Sequence, residues 1–63
     1  MTPKQSVLNK YPQAELVRDG ARDLGNRGID FFDFAIYTKP GKKGRYIAQG
    51  ATPQQAWRAA NGS

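Results

Sequence analysis

Hydrophobic and polar positions change period twice along this chain, from helical to alternating and back. Val7, Leu8 and Tyr11 recur at spacings that share one face of a helix. Thr2-Pro3-Lys4-Gln5 supplies its start: Thr2 is placed to accept from free amides of the first turn, Gln5 to reach back, and Pro3 has no N–H to leave unpaired. Pro12 drives Tyr11 out of helical geometry, so this helix is predicted to stop near Lys10. Between Phe31 and Thr38 the period drops to two. Phe32, Phe34 and Ile36 are expected on one face of a strand, with Phe31, Asp33, Ala35 and Tyr37 on the other. Thr38 to Gly44 reads as a turn, its Pro40-Gly41 pair suited to the centre of a type II turn, and Arg45 to Gln49 returns as a second strand. The start signal recurs as Thr52-Pro53-Gln54-Gln55 before Ala56, Trp57 and Ala60, the inner stripe of a second helix that Gly62 can close. Arg58 near its C-terminal end complements the helix dipole.

Residues 12–30 admit two readings. Ala14, Leu16 and Arg18 alternate with Glu15, Val17 and Asp19 as in an edge strand, whereas Ala14, Val17, Ala21 and Leu24 also follow helical spacing. A helix would carry Gly20 in its interior, at a cost of about 1 kcal/mol relative to alanine. The favoured reading is a strand from Ala14 to Arg18, then a polar loop through Gly28. The chain is then a single α+β domain over residues 1–63: helix, three-stranded antiparallel sheet, helix. The alternative is two N-terminal helices, a β-hairpin and a C-terminal helix.

Sixty-three residues bury only about 60% of the surface their unfolded chain exposes, so the core must be used fully. Its expected members are Val7, Leu8, Tyr11, Leu16, Phe32, Phe34, Ile36, Ile47 and Trp57. With no cysteine and no histidine, disulfides, thiolate metal sites and the commonest general base are all excluded. Asp19 with Asp23, or Asp30 with Asp33, are too few for a metal site, and Arg18, Arg22 and Arg27 beside them suggest ion pairing. Ser6 and Ser63 have no base to activate them. Gly20 and Gly25 are spaced as in a phosphate-binding loop, but Asn26 and Arg27 stand where that motif needs Lys and Ser or Thr. The inventory points to a non-enzymatic protein without cofactors.

The charge is uneven. Residues 1–30 carry Lys4, Lys10, Arg18, Arg22 and Arg27 against Glu15, Asp19, Asp23 and Asp30, whereas residues 31–63 carry Lys39, Lys42, Lys43, Arg45 and Arg58 against Asp33 alone. Most of the net charge of +5 therefore lies in the second half, and such a surface favours an acidic partner. Lys39, Lys42, Lys43 and Arg45 on the turn are the leading candidates for nucleic-acid binding, with Arg22 and Arg27 as assistants from a mobile stretch. Four phosphate contacts on duplex DNA would give a log–log salt slope of roughly −3.6. The plain alternative is a solubilising turn that also discourages edge-to-edge strand pairing. Phe31, Tyr37 and Tyr46 are candidates for stacking on bases; otherwise they form cross-strand pairs or a second apolar layer beneath residues 19–28. Trp57 is expected in the core. No apolar run approaches a membrane span and no signal-peptide pattern follows Met1, so a cytoplasmic protein is expected, a monomer or weak homo-oligomer.

Three resemblances add to this reading. Thr2-Pro3-x-Gln5-x-Val7-Leu8-x-Lys10-Tyr11-Pro12-x-Ala14, with Gly50-Ala51-Thr52-Pro53-x-x-Ala56-Trp57-x-x-Ala60, resembles a group of small uncharacterised phage and prophage proteins. That implies a viral or prophage origin and no defined activity. The order of elements resembles the double-stranded RNA-binding domain, with Gly50, Thr52 and Ala56 at the spacings of its second-helix motif. Pro53, Gln54 and Trp57 occupy the places of that family's phosphate-binding lysines, which removes much of the case for RNA binding there. The hairpin with its basic Pro-Gly turn, followed by a helix, is similar to the arm-site DNA-binding domains of phage integrases, which lay a three-stranded sheet in the major groove. Two partner classes follow: nucleic acid, or an acidic host or viral protein held by an interaction module.

Overall fold

A computed structural model describes residues 1–62, with Lys42 described through its backbone alone. The chain runs α1 (Pro3–Lys10), β1 (Glu15–Asp23), β2 (Ile29–Tyr37), β3 (Tyr46–Gly50) and α2 (Pro53–Asn61), with one turn of 3₁₀ helix in each hairpin connection. The three strands form one antiparallel sheet in the order β1-β2-β3. This is the helix, three-stranded sheet, helix arrangement, and the ambiguous segment is a strand.

Both helix starts use the predicted chemistry. Gln5 N–H donates to Thr2 Oγ1 and Thr2 N–H donates to Gln5 Oε1, each at 3.1 Å, which completes the capping box of α1. At α2, Gln55 N–H donates to Thr52 Oγ1 at 3.1 Å, while Gln55 Oε1 reaches one residue further back and accepts from Ala51 N–H. Tyr11 leaves helical geometry at φ −130°, ψ 86° ahead of Pro12, and Gly62 N–H closes α2 on the carbonyls of Arg58 and Ala59. β3 passes so close to α2 that a Cβ on Gly50 would lie 2.6 Å from the Ala56 nitrogen, so only glycine fits there.

The first strand is longer than predicted. It does not give way to a polar loop after Arg18 but continues to Asp23, pairing Ala21 with Phe31 and Arg22 with Asp30. The polar residues 19–23 read as loop because only one of their faces needs to be buried, and a long β2 provides the ladder that holds them. β3 pairs with β2 only over Phe34–Tyr37, with a bulge between Ile36 and Tyr37. Residues 19–33 therefore project past β3 as a two-stranded arm. At its base Asp19 takes φ 47°, a left-handed conformation that aspartate tolerates better than most side chains.

The arm bends back over the sheet, which gives the chain two apolar clusters. On one face Val7, Ile36, Ala48, Ala56, Trp57 and Ala60 pack together, with Leu16, Phe34 and Ile47 at the margin. On the other, Phe32, Ala35 and Tyr37 are buried against Val17 and Tyr46. Strict alternation placed Phe32 with Phe34 and Ile36; instead its ring lies 6.4 Å from that of Tyr37. In a flat strand residues 32 and 37 would lie on opposite faces, about 16 Å apart along the backbone, so β2 twists or bends between them. Tyr37 and Tyr46 meet edge to face at 5.9 Å, so they form the second apolar layer beneath the arm. Phe31 alone of the three stacking candidates stays open, at 75% exposure. Among the described residues no helix is long and apolar enough to cross a membrane.

Candidate functional site

The 38–45 turn is held from both ends. Thr38 N–H donates to the Arg45 carbonyl at 3.0 Å, and Arg45 N–H donates to Thr38 Oγ1 at 2.8 Å. Gly44 lies against this pair so tightly that a Cβ there would collide with Thr38 Oγ1 and the Lys39 nitrogen. A third tie comes from outside the hairpin: Gly41 N–H donates to Glu15 Oε2 at 2.9 Å. The first residue of β1 thus pins the tip of the turn, and its carboxylate is occupied by a backbone amide. Lys39, Lys43 and Arg45 are exposed, and among the described residues none of them forms an ion pair. The Lys42 side chain lies outside the described part of the chain.

Beside the turn is an open groove of about 930 Å³. Residues 10–13, the end of α1 and its link to β1, form one wall; Thr38, Lys39 and residues 45–47 form the other. Three cations, Lys10, Lys39 and Arg45, line it, and none of its lining residues is acidic. Tyr11, Pro12 and Ile47 give its surface an apolar part. Lys10 Nζ sits 5.6 Å from the centre of the Tyr11 ring, near enough for a cation–π contact. Lys10 was not among the sequence candidates. Its one sequence signal, a cation just before Tyr11-Pro12, marked a helix end, and only the tertiary fold sets that end against the hairpin.

Arg22 and Arg27 go elsewhere. The Arg22 guanidinium lies 3.8 Å from the centre of the Tyr46 ring and 4.0 Å from Asp30 Oδ2. It does not line the groove, although Tyr46, on whose ring it lies, does. Burial pushes the Tyr46 phenol above its ordinary value of 10.0, and the Arg22 charge pulls against that rise. Arg27 is exposed in the β1–β2 connection, at the opposite end of β2 from the basic turn. Two of the four aspartates considered as pairs have structural work: Asp23 Oδ1 accepts from Gly25 N–H at 2.8 Å, and Asp30 faces Arg22. Among the described residues no three His, Cys, Asp or Glu side chains gather as a metal site would need.

Compared with known proteins, the chain matches no protein family, no curated protein and no solved structure. Its chemistry must therefore be read from the groove and the turn themselves.

Proposed function

We propose that this chain is a non-catalytic accessory protein of phage type that binds nucleic acid along the basic turn and its groove. One observation carries the reading: Lys10, from a separate element, joins Lys39 and Arg45 around a groove with no acidic lining. Lys43, exposed on the same turn, extends the cationic track, and Lys42 adds a further charge next to it in sequence. α2 carries a single cation, the exposed Arg58, so the turn is the better candidate for phosphate contacts. Each phosphate contact on a duplex contributes about −0.9 to the slope of log affinity against log salt. Three to five contacts give a slope between roughly −2.7 and −4.5.

Anisotropy of a labelled generic duplex, titrated with the protein over a series of salt concentrations, tests this. A slope in that range, reduced when Lys39, Lys42, Lys43 and Arg45 are replaced together by alanine, supports the reading. Absence of binding at low salt, or binding untouched by the fourfold replacement, refutes it. An acidic protein segment is the competing occupant, favoured by the apolar Tyr11, Pro12 and Ile47 in the groove. A partner retained from nuclease-treated lysate, together with no affinity for the duplex, would give preference to that second reading.

A further inference from the structure

The outer face of the arm is the chemical inverse of the groove. Asp19, Ala21 and Asp23 on β1 and Ile29, Phe31 and Asp33 on β2 are all exposed, with Ala21 opposite Phe31 and Asp23 opposite Ile29 in the register. Phe31 is 75% and Ile29 60% exposed, the largest open apolar side chains among the described residues apart from Met1. Three carboxylates surround this apolar strip. Two of the three arginines of this region are engaged elsewhere, Arg22 over Tyr46 and Arg18 with its guanidinium 5.9 Å from the Phe34 ring, while Arg27 stays exposed in the connection at the arm's tip. An apolar centre with an acidic rim therefore stands out on a chain of net charge +5.

We propose that the chain associates with itself head to tail, the acidic–apolar face of one arm seating in the basic groove of the next copy. Phe31 would enter between Tyr11, Pro12 and Ile47, and Asp33 and its neighbours would meet Lys39 and Arg45. Charge complementarity selects this pairing over the symmetric ones. Arm against arm sets aspartates against aspartates, and groove against groove sets cations against cations; like charges brought together this way are a strong deterrent to association. The two surfaces lie toward opposite ends of β2, in a molecule 38 Å long. Each copy thus presents both halves of the contact in different directions. A heterologous contact of this kind adds copies one after another unless its rotation closes a ring. The inference does not depend on nucleic-acid binding, although both uses of the groove exclude each other.

Sedimentation velocity on nuclease-treated protein at roughly 100 µM, where micromolar contacts are well populated, tests this. The expected result is a mass above the 7.0 kDa monomer that rises with concentration and falls as salt is added. Phe31→Asp on the arm and Arg45→Glu in the groove, both at exposed positions, should each weaken association about tenfold or more. Asp33→Lys should also weaken it alone, and an equal mixture of the Asp33→Lys and Arg45→Glu chains should regain dimers, because the unaltered arm of the second chain meets the unaltered groove of the first. A monomer at every concentration overturns the proposal. So does association that Phe31→Asp abolishes but Arg45→Glu leaves intact, which would mean arm-to-arm pairing, or a mixture that fails to recover. Circular dichroism of each variant separates lost contact from lost fold; were Asp33→Lys to unfold, Phe31→Asp and Arg45→Glu still decide the matter. Duplex titrated into the same samples keeps the two readings apart: assembly without duplex binding rejects only the nucleic-acid function, and duplex binding by a strict monomer rejects only the self-association.

Discussion

The Arg22 side chain stacks on Tyr46 at 3.8 Å while its Nε is buried without a hydrogen-bond partner. The stacking contributes about 0.5–2 kcal/mol, and the orphaned N–H costs about 1–3 kcal/mol, so the two nearly offset. The half-exposed Asp30 pair adds at most about 1 kcal/mol. What remains is the cover that the aliphatic stem gives the second apolar cluster. Arg22→Met keeps that stem and removes the orphan, so it should change stability by less than about 1 kcal/mol. Arg22→Ala should cost roughly 1–3 kcal/mol. Urea midpoints of both variants check the pair. Tyr46 gives the pH dependence. Its folded-state pKa is raised, chiefly by burial, so the folded chain holds this proton more tightly than the unfolded one. The resulting stability is complete below the ordinary tyrosine value and is lost as pH rises through the folded value. Unfolding midpoints should therefore fall in strongly alkaline buffer. Phenolate absorbance should place Tyr46 higher still in Arg22→Met, which removes the opposing cation.

At the scale of elements, the two helix caps look alike in sequence but bear on different amounts of structure. α1 buries only Val7 fully, whereas α2 buries Ala56, Trp57 and Ala60. Loss of a threonine cap costs about 1 kcal/mol. For Thr52→Ala that cost should appear in the global unfolding free energy, because α2 cannot loosen without opening the core. For Thr2→Ala part of it should be taken up by local fraying of α1. Urea unfolding combined with amide exchange in the two helices distinguishes them. The arm shows the reverse relation between pattern and element. Asp19 and Gly20 look like a loop start, yet the ladder runs past them from Arg18↔Phe34 to Gly20↔Phe32. The left-handed Asp19 is where the strand changes direction without losing register.

For the whole molecule, the length of β2 sets the exposed aspartates of the arm apart from the basic turn. The exposed cations of the turn, with Lys10, gather at one end of β2, and the exposed arm with its aspartates extends from the other. On the proposed nucleic-acid reading, placement rather than count decides which cations would take part in binding. Lys10→Ala should make the salt slope of duplex binding shallower by about 0.9. Arg27→Ala removes the same charge from the far end of the sheet and should leave the slope unchanged. Anisotropy titrations of the two variants side by side make the comparison, and equal losses would mean that net charge alone drives the binding.

Local chemistry decides much of this protein. Thr-Pro-x-Gln starts both helices, Pro12 ends the first, and alternation in residues 31–38 sets the central strand, because caps, proline sterics and side-chain period act within a few residues. The basic turn was legible for the same reason: Lys39, Lys43 and Arg45 are neighbours in the chain, and a short hairpin keeps them so. Residues 19–23 were not legible as strand, since their partner lies across the β1–β2 connection and their own composition suits water on one side. Nor was the face of Phe32, because a bend at Asp19 is a property of the paired arm and not of alternation. Lys10 joins the groove, and Arg22 leaves the candidate surface for Tyr46, through contacts between residues more than 20 positions apart. Such contacts follow from how the helices and the arm pack on the sheet, and that packing exists only once the whole chain has closed around its two apolar clusters.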